Sequence, residues 1–261
     1  ITDRKIAEEN LKESEEKYRN VVERASDGIA IFQDTITKFI NPRLAELWGG
    51  TVEDILGKPM SEFIHPDELP AVLDRYKRRL AGEEQLSTYE TILTRKDGSK
   101  LYAEINAGMI IFQGKPSDLV IVRDISERKQ TQTLQEAVYR IAAAAETTSS
   151  LDELYPLIHQ IISSVMPAEN FYITLYDEAQ DLLRFPYFRD AADASFLSGI
   201  QPGKGLTAYL LRTGKSLLCT QAVHDELEHL GEVKLLGVPS AIWLGVPLIV
   251  EGKTIGAMVV Q

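Results

Sequence analysis

One cysteine and four histidines in 261 residues leave little material for redox or metal chemistry. The lone thiol, Cys219, excludes a disulfide within the chain and suits a reducing compartment, so a cytoplasmic location is expected. The histidines, His65, His159, His224 and His229, are dispersed. Only His224 and His229 lie close, and the carboxylates between them do not make the clustered nitrogen and sulfur set that zinc requires. No metal site is expected. Basic residues are also short: 28 Lys and Arg stand against 39 Asp and Glu, a net charge of −11. That balance carries no electrostatic footprint for nucleic acid and disfavours an anionic membrane surface. Long apolar runs are missing too. The most apolar stretch, Leu235 to Val250, is interrupted by Pro239, Ser240 and Pro247 and reads as core strand. A complete phosphate loop is absent: Arg212-Thr213-Gly214-Lys215-Ser216 ends like one, but Tyr209 stands where its first glycine belongs. Gly214 is therefore expected as a helix cap.

What is present is ordinary globular material, 44% apolar and 26% charged, long enough for about two domains. One repeat stands out. Ile1-Thr2-Asp3-Arg4-Lys5 recurs in conservative form as Ile125-Ser126-Glu127-Arg128-Lys129, each time before a charged, helix-prone segment. The first copy is read as the tail of a preceding domain, and the chain as a piece of a longer modular protein. In residues 1–26, Ala7, Leu11, Ser14, Tyr18, Val21 and Ala25 step by fours and threes, a heptad seam broken only by Ser14. Such a helix either packs on its own domain or pairs with a second chain.

Strand signals at Gly28–Asp34 and Thr37–Ile40 are followed by short helical pieces that start at Asn41-Pro42, with Asn41 as cap. A longer helix is predicted over Leu69–Ala81, then strands over Ser87–Arg95, Lys100–Phe112 and Asp118–Asp124, with turns at Lys96-Asp97-Gly98 and Gln113-Gly114-Lys115-Pro116. After Asp124, a helix carrying Leu134, Val138 and Ile141 is interrupted by the polar cluster 146–150, and a second amphipathic helix resumes at Leu151. Strands are predicted at Phe171–Tyr176, Leu182–Phe188, Ser216–Cys219, Ala241–Val250 and Thr254–Gln261, with a helix over Leu206–Arg212 and an irregular loop with a short helix over Ala222–Leu236. The fold class is α+β: two domains, each an antiparallel sheet with flanking helices, joined by a long helix.

The first unit resembles the PAS domain family. The resemblance rests on Asp27-Gly28-Ile29-Ala30, Phe39-Ile40-Asn41-Pro42, Gly57-Lys58, His65-Pro66-Asp67, Arg95-Lys96-Asp97-Gly98-Ser99 and the exit Arg123-Asp124-Ile125-Ser126. The second resembles the GAF family through Gly203-Lys204-Gly205-Leu206-Thr207, Leu244-Gly245-Val246-Pro247-Leu248 and Gly252-Lys253-Thr254-Ile255-Gly256-Ala257. The family's carboxy-terminal helix is missing. The implied organisation is a signalling helix at 1–26, a PAS domain at 13–128, a connecting helix at 125–147 and a GAF domain at 133–261.

The resemblance implies a sensory module of a signal-transduction protein of the sensor histidine kinase, two-component type. It senses a small effector or relays a conformational signal through dimeric helices, and has no catalytic residues of its own. Candidate PAS pocket residues are Trp48, Phe63, Tyr76, Tyr89, Tyr102 and Ile105; candidate GAF pocket residues are Phe171, Tyr187, Thr207 and Trp243. The proposed relay joint is Asp124, Ile125 and Ser126, with Arg95 or Lys96 as the base beside Asp124 and Ser126 as a cap for the following helix. Expected partners are a second copy of the chain and a small-molecule effector, with no nucleic acid and no membrane contact by this piece. No cofactor is implied beyond an unidentified noncovalent small molecule. The first unit has no cysteine for a flavin adduct, its long helix has no histidine for haem, and Cys219 has no resolving partner for a GAF-type reductase. A cofactor-bearing redox or light sensor, such a reductase, and a purely structural dimerisation spacer remain the alternatives.

Overall fold

The computed structural model describes residues 2–83, 88–189, 199–235 and 240–261. The predicted positions Ile1, Ser87, Leu236 and Pro239 fall outside these, as do the side chains of Ala7, Leu11 and Tyr18 in the heptad. The chain divides into two compact units, Ile1–Gln132 and Thr133–Gln261.

The first unit opens on helix α1 (Thr2–Glu23), then β1 (Gly28–Gln33) and β2 (Ile36–Ile40). Short helices follow, α2 (Pro42–Trp48), α3 (Val52–Ile55) and a 3-10 turn over Met60–Glu62, before the longer α4 (Leu69–Leu80). Strands β3 (Thr88–Thr94), β4 (Lys100–Phe112) and β5 (Lys115–Asp124) complete an antiparallel sheet of order β2-β1-β5-β4-β3. Inward residues alternate along the strands, as in Leu101, Ala103, Ile105 and Ala107 of β4 against Val120 and Val122 of β5. Helix α2 lies close on this face because Gly28 has no side chain: a Cβ there would sit 2.8 Å from Leu44 Cδ1.

Strand β5 starts three residues earlier than the sequence suggests. Gln113 (φ 50°) and Gly114 (φ 77°) alone form the turn, both left-handed as a tight hairpin with right-handed strand twist requires. Lys115 and Pro116 therefore belong to the strand, paired with Phe112 and Ile111.

The second unit receives the end of α5 (Ser126–Thr147) and continues with α6 (Leu151–Ser163), capped by the Ser150 side chain on the Glu153 amide. Strands β6 (Phe171–Asp177), β7 (Leu182–Arg189), β8 (Leu217–Thr220), β9 (Ile242–Val250) and β10 (Lys253–Val260) make a second antiparallel sheet, ordered β7-β6-β10-β9-β8. Its strand order repeats that of the first. Helices α7 (Leu206–Thr213) and α8 (Gln221–His229) lie in the connections flanking β8. Gly214, at φ 64°, ends α7 as a left-handed C-cap, so Arg212-Thr213-Gly214-Lys215 is a helix terminus.

Asn41 is fully buried and uses its whole side chain. Its Oδ1 accepts from the amides of Ile29 (2.8 Å) and Leu44 (3.1 Å), and its Nδ2 donates to the carbonyls of Val22 (3.0 Å) and Asp27 (3.1 Å). Asn41→Ala should destabilise the first unit by about 3 kcal/mol, since it orphans several backbone groups at once. Asn41→Asp should be at least as damaging near neutral pH, because an acceptor would then face two carbonyls. Urea unfolding of the three proteins checks both.

Candidate ligand cavity

Within the first unit a cavity of about 70 Å3 lies between the inner face of the sheet and the helices over it. The strands contribute alternate residues: Ala30 and Phe32 from β1, Tyr89, Thr91 and Leu93 from β3, Leu101 and Ile105 from β4, Val120 and Val122 from β5. The helical side supplies Leu44 and Trp48 of α2, Ile55 of α3, the segment Met60, Phe63 and Ile64, and Val72 of α4. Trp48 and Phe63 meet edge to face, 5.5 Å between centroids.

Four of the six predicted residues, Trp48, Phe63, Tyr89 and Ile105, come together here. Tyr76 is buried on α4 but outside this lining, with its hydroxyl accepting from the Thr35 amide at 3.1 Å. Tyr102 is 37% exposed. It is an odd number of residues from Ile105, so the two-residue period of β4 turns it to the opposite face.

Two lining residues are charged and were not anticipated. Arg79 of α4 donates from Nε to Asp118 Oδ1 (2.9 Å) and from Nη2 to Oδ2 (2.7 Å), a bidentate pair with both side chains buried. Burial disfavours the charged guanidinium, but the hydrogen bonds and charge of Asp118 more than reverse this, so the Arg79 pKa lies above its usual value. A signal existed. Arg79 follows Val72 and Tyr76 on the buried face of α4, and Asp118 precedes Val120 and Val122 at the same inward alternation of β5, so both occupy core-face positions.

At the sheet exit, Asp124 uses both oxygens: Oδ1 accepts from the Ser126 amide (2.8 Å) and Oδ2 from Arg95 Nη2 (3.3 Å). Of the two predicted bases, Arg95 is the partner; Lys96 pairs with Asp54 at 2.8 Å. Asp124 keeps its base and also takes the capping role expected of Ser126: it accepts from the first-turn amide of α5, while the Ser126 hydroxyl accepts from the Tyr102 amide (3.3 Å). Ile125 between them is buried and donates its amide to the Tyr102 carbonyl (2.9 Å). Arg95 reaches further, donating from Nε to the Leu47 carbonyl (3.0 Å) and from Nη1 to the Lys100 carbonyl (2.9 Å).

The four GAF candidates divide between the two faces of the second sheet. Phe171 and Tyr187 pack on α6, where the Phe171 ring stacks on His159 and the Tyr187 hydroxyl lies 2.9 Å from His159 Nδ1. Trp243 lies on the other face with Tyr172 and Leu210, donating from its indole nitrogen to the Tyr172 hydroxyl at 3.2 Å, and Thr207 Oγ1 lies 2.9 Å from that same hydroxyl. Neighbouring strand residues point to opposite faces, so the four do not converge. Cys219 is buried beside Trp243, and burial raises its pKa, leaving an unreactive thiol. Among the described residues no group of three or more His, Cys, Asp and Glu is placed to hold a metal.

Residues 26–127 match the family model of the PAS domain and residues 148–261 that of the GAF domain. The chain is therefore a PAS domain followed by a GAF domain, a sensory module of signal transduction. Among curated proteins it is similar to Sporulation kinase A of Bacillus subtilis (strain 168), 26% identical over 152 residues that cover 58% of this chain and 25% of that protein. It is also similar to the Oxygen sensor protein DosP of Escherichia coli (strain K12), 29% identical over 117 residues, 42% of this chain and 15% of that protein. The chain spans 25% and 15% of the length of these two relatives. Among solved structures, the PAS domain of an HTR-like protein from Haloarcula marismortui is 22% identical, covers 46% of this chain and 99% of its own, and aligns with a TM-score of 0.40.

Arg79→Leu should destabilise the first unit by about 3–5 kcal/mol, because it strands the buried Asp118 carboxylate. The double variant Arg79→Leu/Asp118→Leu should recover most of that loss. A double-mutant cycle by urea denaturation measures the difference.

Proposed function

We propose that this chain is the PAS–GAF sensory module of a cytoplasmic, dimeric sensor histidine kinase of the two-component type, and that it performs no chemistry itself. The observation that carries this reading is the apolar PAS cavity, with one charged pair on its wall, in the unit whose last strand runs into α5 through the Asp124 joint. Few polar groups in a largely apolar lining suit a noncovalent organic effector. Metal and haem are disfavoured by the absence of cysteine from the first unit and of histidine from α4. The name of one relative as a kinase and of another as a sensor agrees with the assignment. In this reading the module runs as a helix at 1–26, a PAS domain at 13–128, a connecting helix at 125–147 and a GAF domain at 133–261.

An effector shifts output only through its differential affinity for two arrangements of the exit helix. Asp124 is the natural place for that difference to be felt, because one carboxylate serves both the sheet edge and the first turn of α5. Asp124→Ala in the full-length parent should uncouple stimulus from kinase output while the PAS unit stays folded; a normal response or an unfolded unit removes the joint from the mechanism. Native mass spectrometry of the purified chain should find an organic molecule bound without iron or zinc.

Helix α5 supports dimerisation by leaving Leu134, Val138 and Tyr139 exposed, at 45%, 67% and 75%. Light scattering should give a dimer at high micromolar concentration. Val138→Asp should raise its dissociation constant at least about tenfold, since a charge in the seam must be desolvated.

A further inference from the structure

The buried pair in the PAS cavity leaves a donor over. Arg79 commits Nε and Nη2 to Asp118, while its Nη1 is buried without a hydrogen-bond partner. One turn earlier on α4, Arg75 lays its guanidinium over the Tyr89 ring, 4.4 Å from the centroid, and its Nη1 is likewise buried and unpartnered. Residues four apart share one face of a helix. Arg79 and Tyr89 both line the cavity. A buried charged donor left without an acceptor is costly, so the Arg79 Nη1 on the cavity wall marks a place that the protein alone does not complete.

Charge decides what completes it. Asp118 pairs with Arg79, the Glu68 carboxylate accepts from the lining Thr91 hydroxyl at 3.2 Å, and among the described residues Arg75 forms no ion pair. Burial raises the Tyr89 phenol pKa, so Tyr89 stays neutral and adds no negative charge. The Arg75 guanidinium, half-buried over the Tyr89 ring, is thus a positive charge without an ion-pair partner among the described residues. An anionic oxygen answers both that charge and the open Nη1 of Arg79; a neutral acceptor answers only the second.

We propose that the effector of the PAS cavity is a small monocarboxylate with a compact apolar body. Its carboxylate accepts from Arg79 Nη1, with Arg75 across the Tyr89 ring as balancing charge, and its hydrocarbon lies among Trp48, Phe63, Leu101 and Ile105. A cavity of about 70 Å3 suits a compact body. This assignment rests on reading the cavity as the sensing pocket and adds the chemistry of what is sensed.

Titration calorimetry of the whole chain near neutral pH tests it, with benzoate and butyrate as probes against benzyl alcohol and butanol. At least one acid should bind about tenfold or more tightly than its alcohol, as a charge-assisted hydrogen bond requires. Arg75→Met should weaken that acid several-fold without changing the alcohol. Arg79→Leu/Asp118→Leu, which removes both charges and leaves neither stranded, should erase the preference between acid and alcohol. An alcohol that binds as well as its acid, or a preference that survives the double variant, overturns the carboxylate assignment while leaving a ligand-sensing cavity in place. Failure of both acids to bind also overturns it. The sensing reading is judged separately, by the small molecule that native mass spectrometry finds or does not find.

Discussion

The primary amide of Asn41 holds together four pieces of the PAS unit from a single buried side chain. One oxygen and one nitrogen, both fully buried, join the last turn of α1 at Val22, the bend at Asp27, the first strand at Ile29 and the opening of α2 at Leu44. An amide is the side chain that offers two acceptor sites and two donors in one plane, and here all four are used. Because α2 is placed this way, Leu44 and Trp48 are brought over the sheet and the cavity gains its helical wall. The helical wall that α2 gives the cavity and the end of α1 are both fixed through this contact.

Much of this was legible in the sequence. Alternation on the strands, Asn41-Pro42 at a helix start and glycine turns locate most elements of both units, and the family motifs order them. The cavity was legible in part. Trp48, Phe63, Tyr89 and Ile105 are large apolar residues on the right elements, whereas the alternation of β4 puts Tyr102 on the face opposite Ile105. Arg79 and Asp118 escaped because each looks like a surface charge alone; only their shared inward register identifies them as a pair. The engagement of the Ser126 hydroxyl by the Tyr102 amide, which leaves the cap to Asp124, is a fact of β4–β5 pairing over distant residues. The division of Phe171 and Tyr187 from Thr207 and Trp243 has the same origin: the second sheet is covered on both faces, so burial alone does not reveal the side.

The two units share one strand order and use it differently. In the first, the outward face carries charge. Arg123 meets Asp27 and Glu104, and Arg128 and Lys129 at the start of α5 meet Glu90 of β3. Each exposed pair contributes little by itself, but together they run from the bend after α1 to the first turn of α5. In the second unit, aromatic rings pack on both sides of β6: Phe171 with His159 on one face, Tyr172 with Phe188 on the other. The same topology thus gives one sheet with a hollow beneath it and one that carries a packed aromatic cluster on each face.

Arg95 shows what a planar side chain makes of such an arrangement. Its guanidinium grips the Leu47 carbonyl at the end of α2, the Lys100 carbonyl at the start of β4 and the Asp124 carboxylate at the mouth of α5. The five donors of a guanidinium are fixed in one rigid fork, so these three points behave as corners of a single triangle. Displacing the corner at Leu47, next to the cavity residue Trp48, obliges either the Lys100 or the Asp124 corner to follow or to let go. A lysine would carry the same charge, but its three donors radiate from a single nitrogen on a flexible stem and impose no fixed plane on the corners. One side chain thereby ties the end of α2, the start of β4 and the mouth of α5 to a common plane.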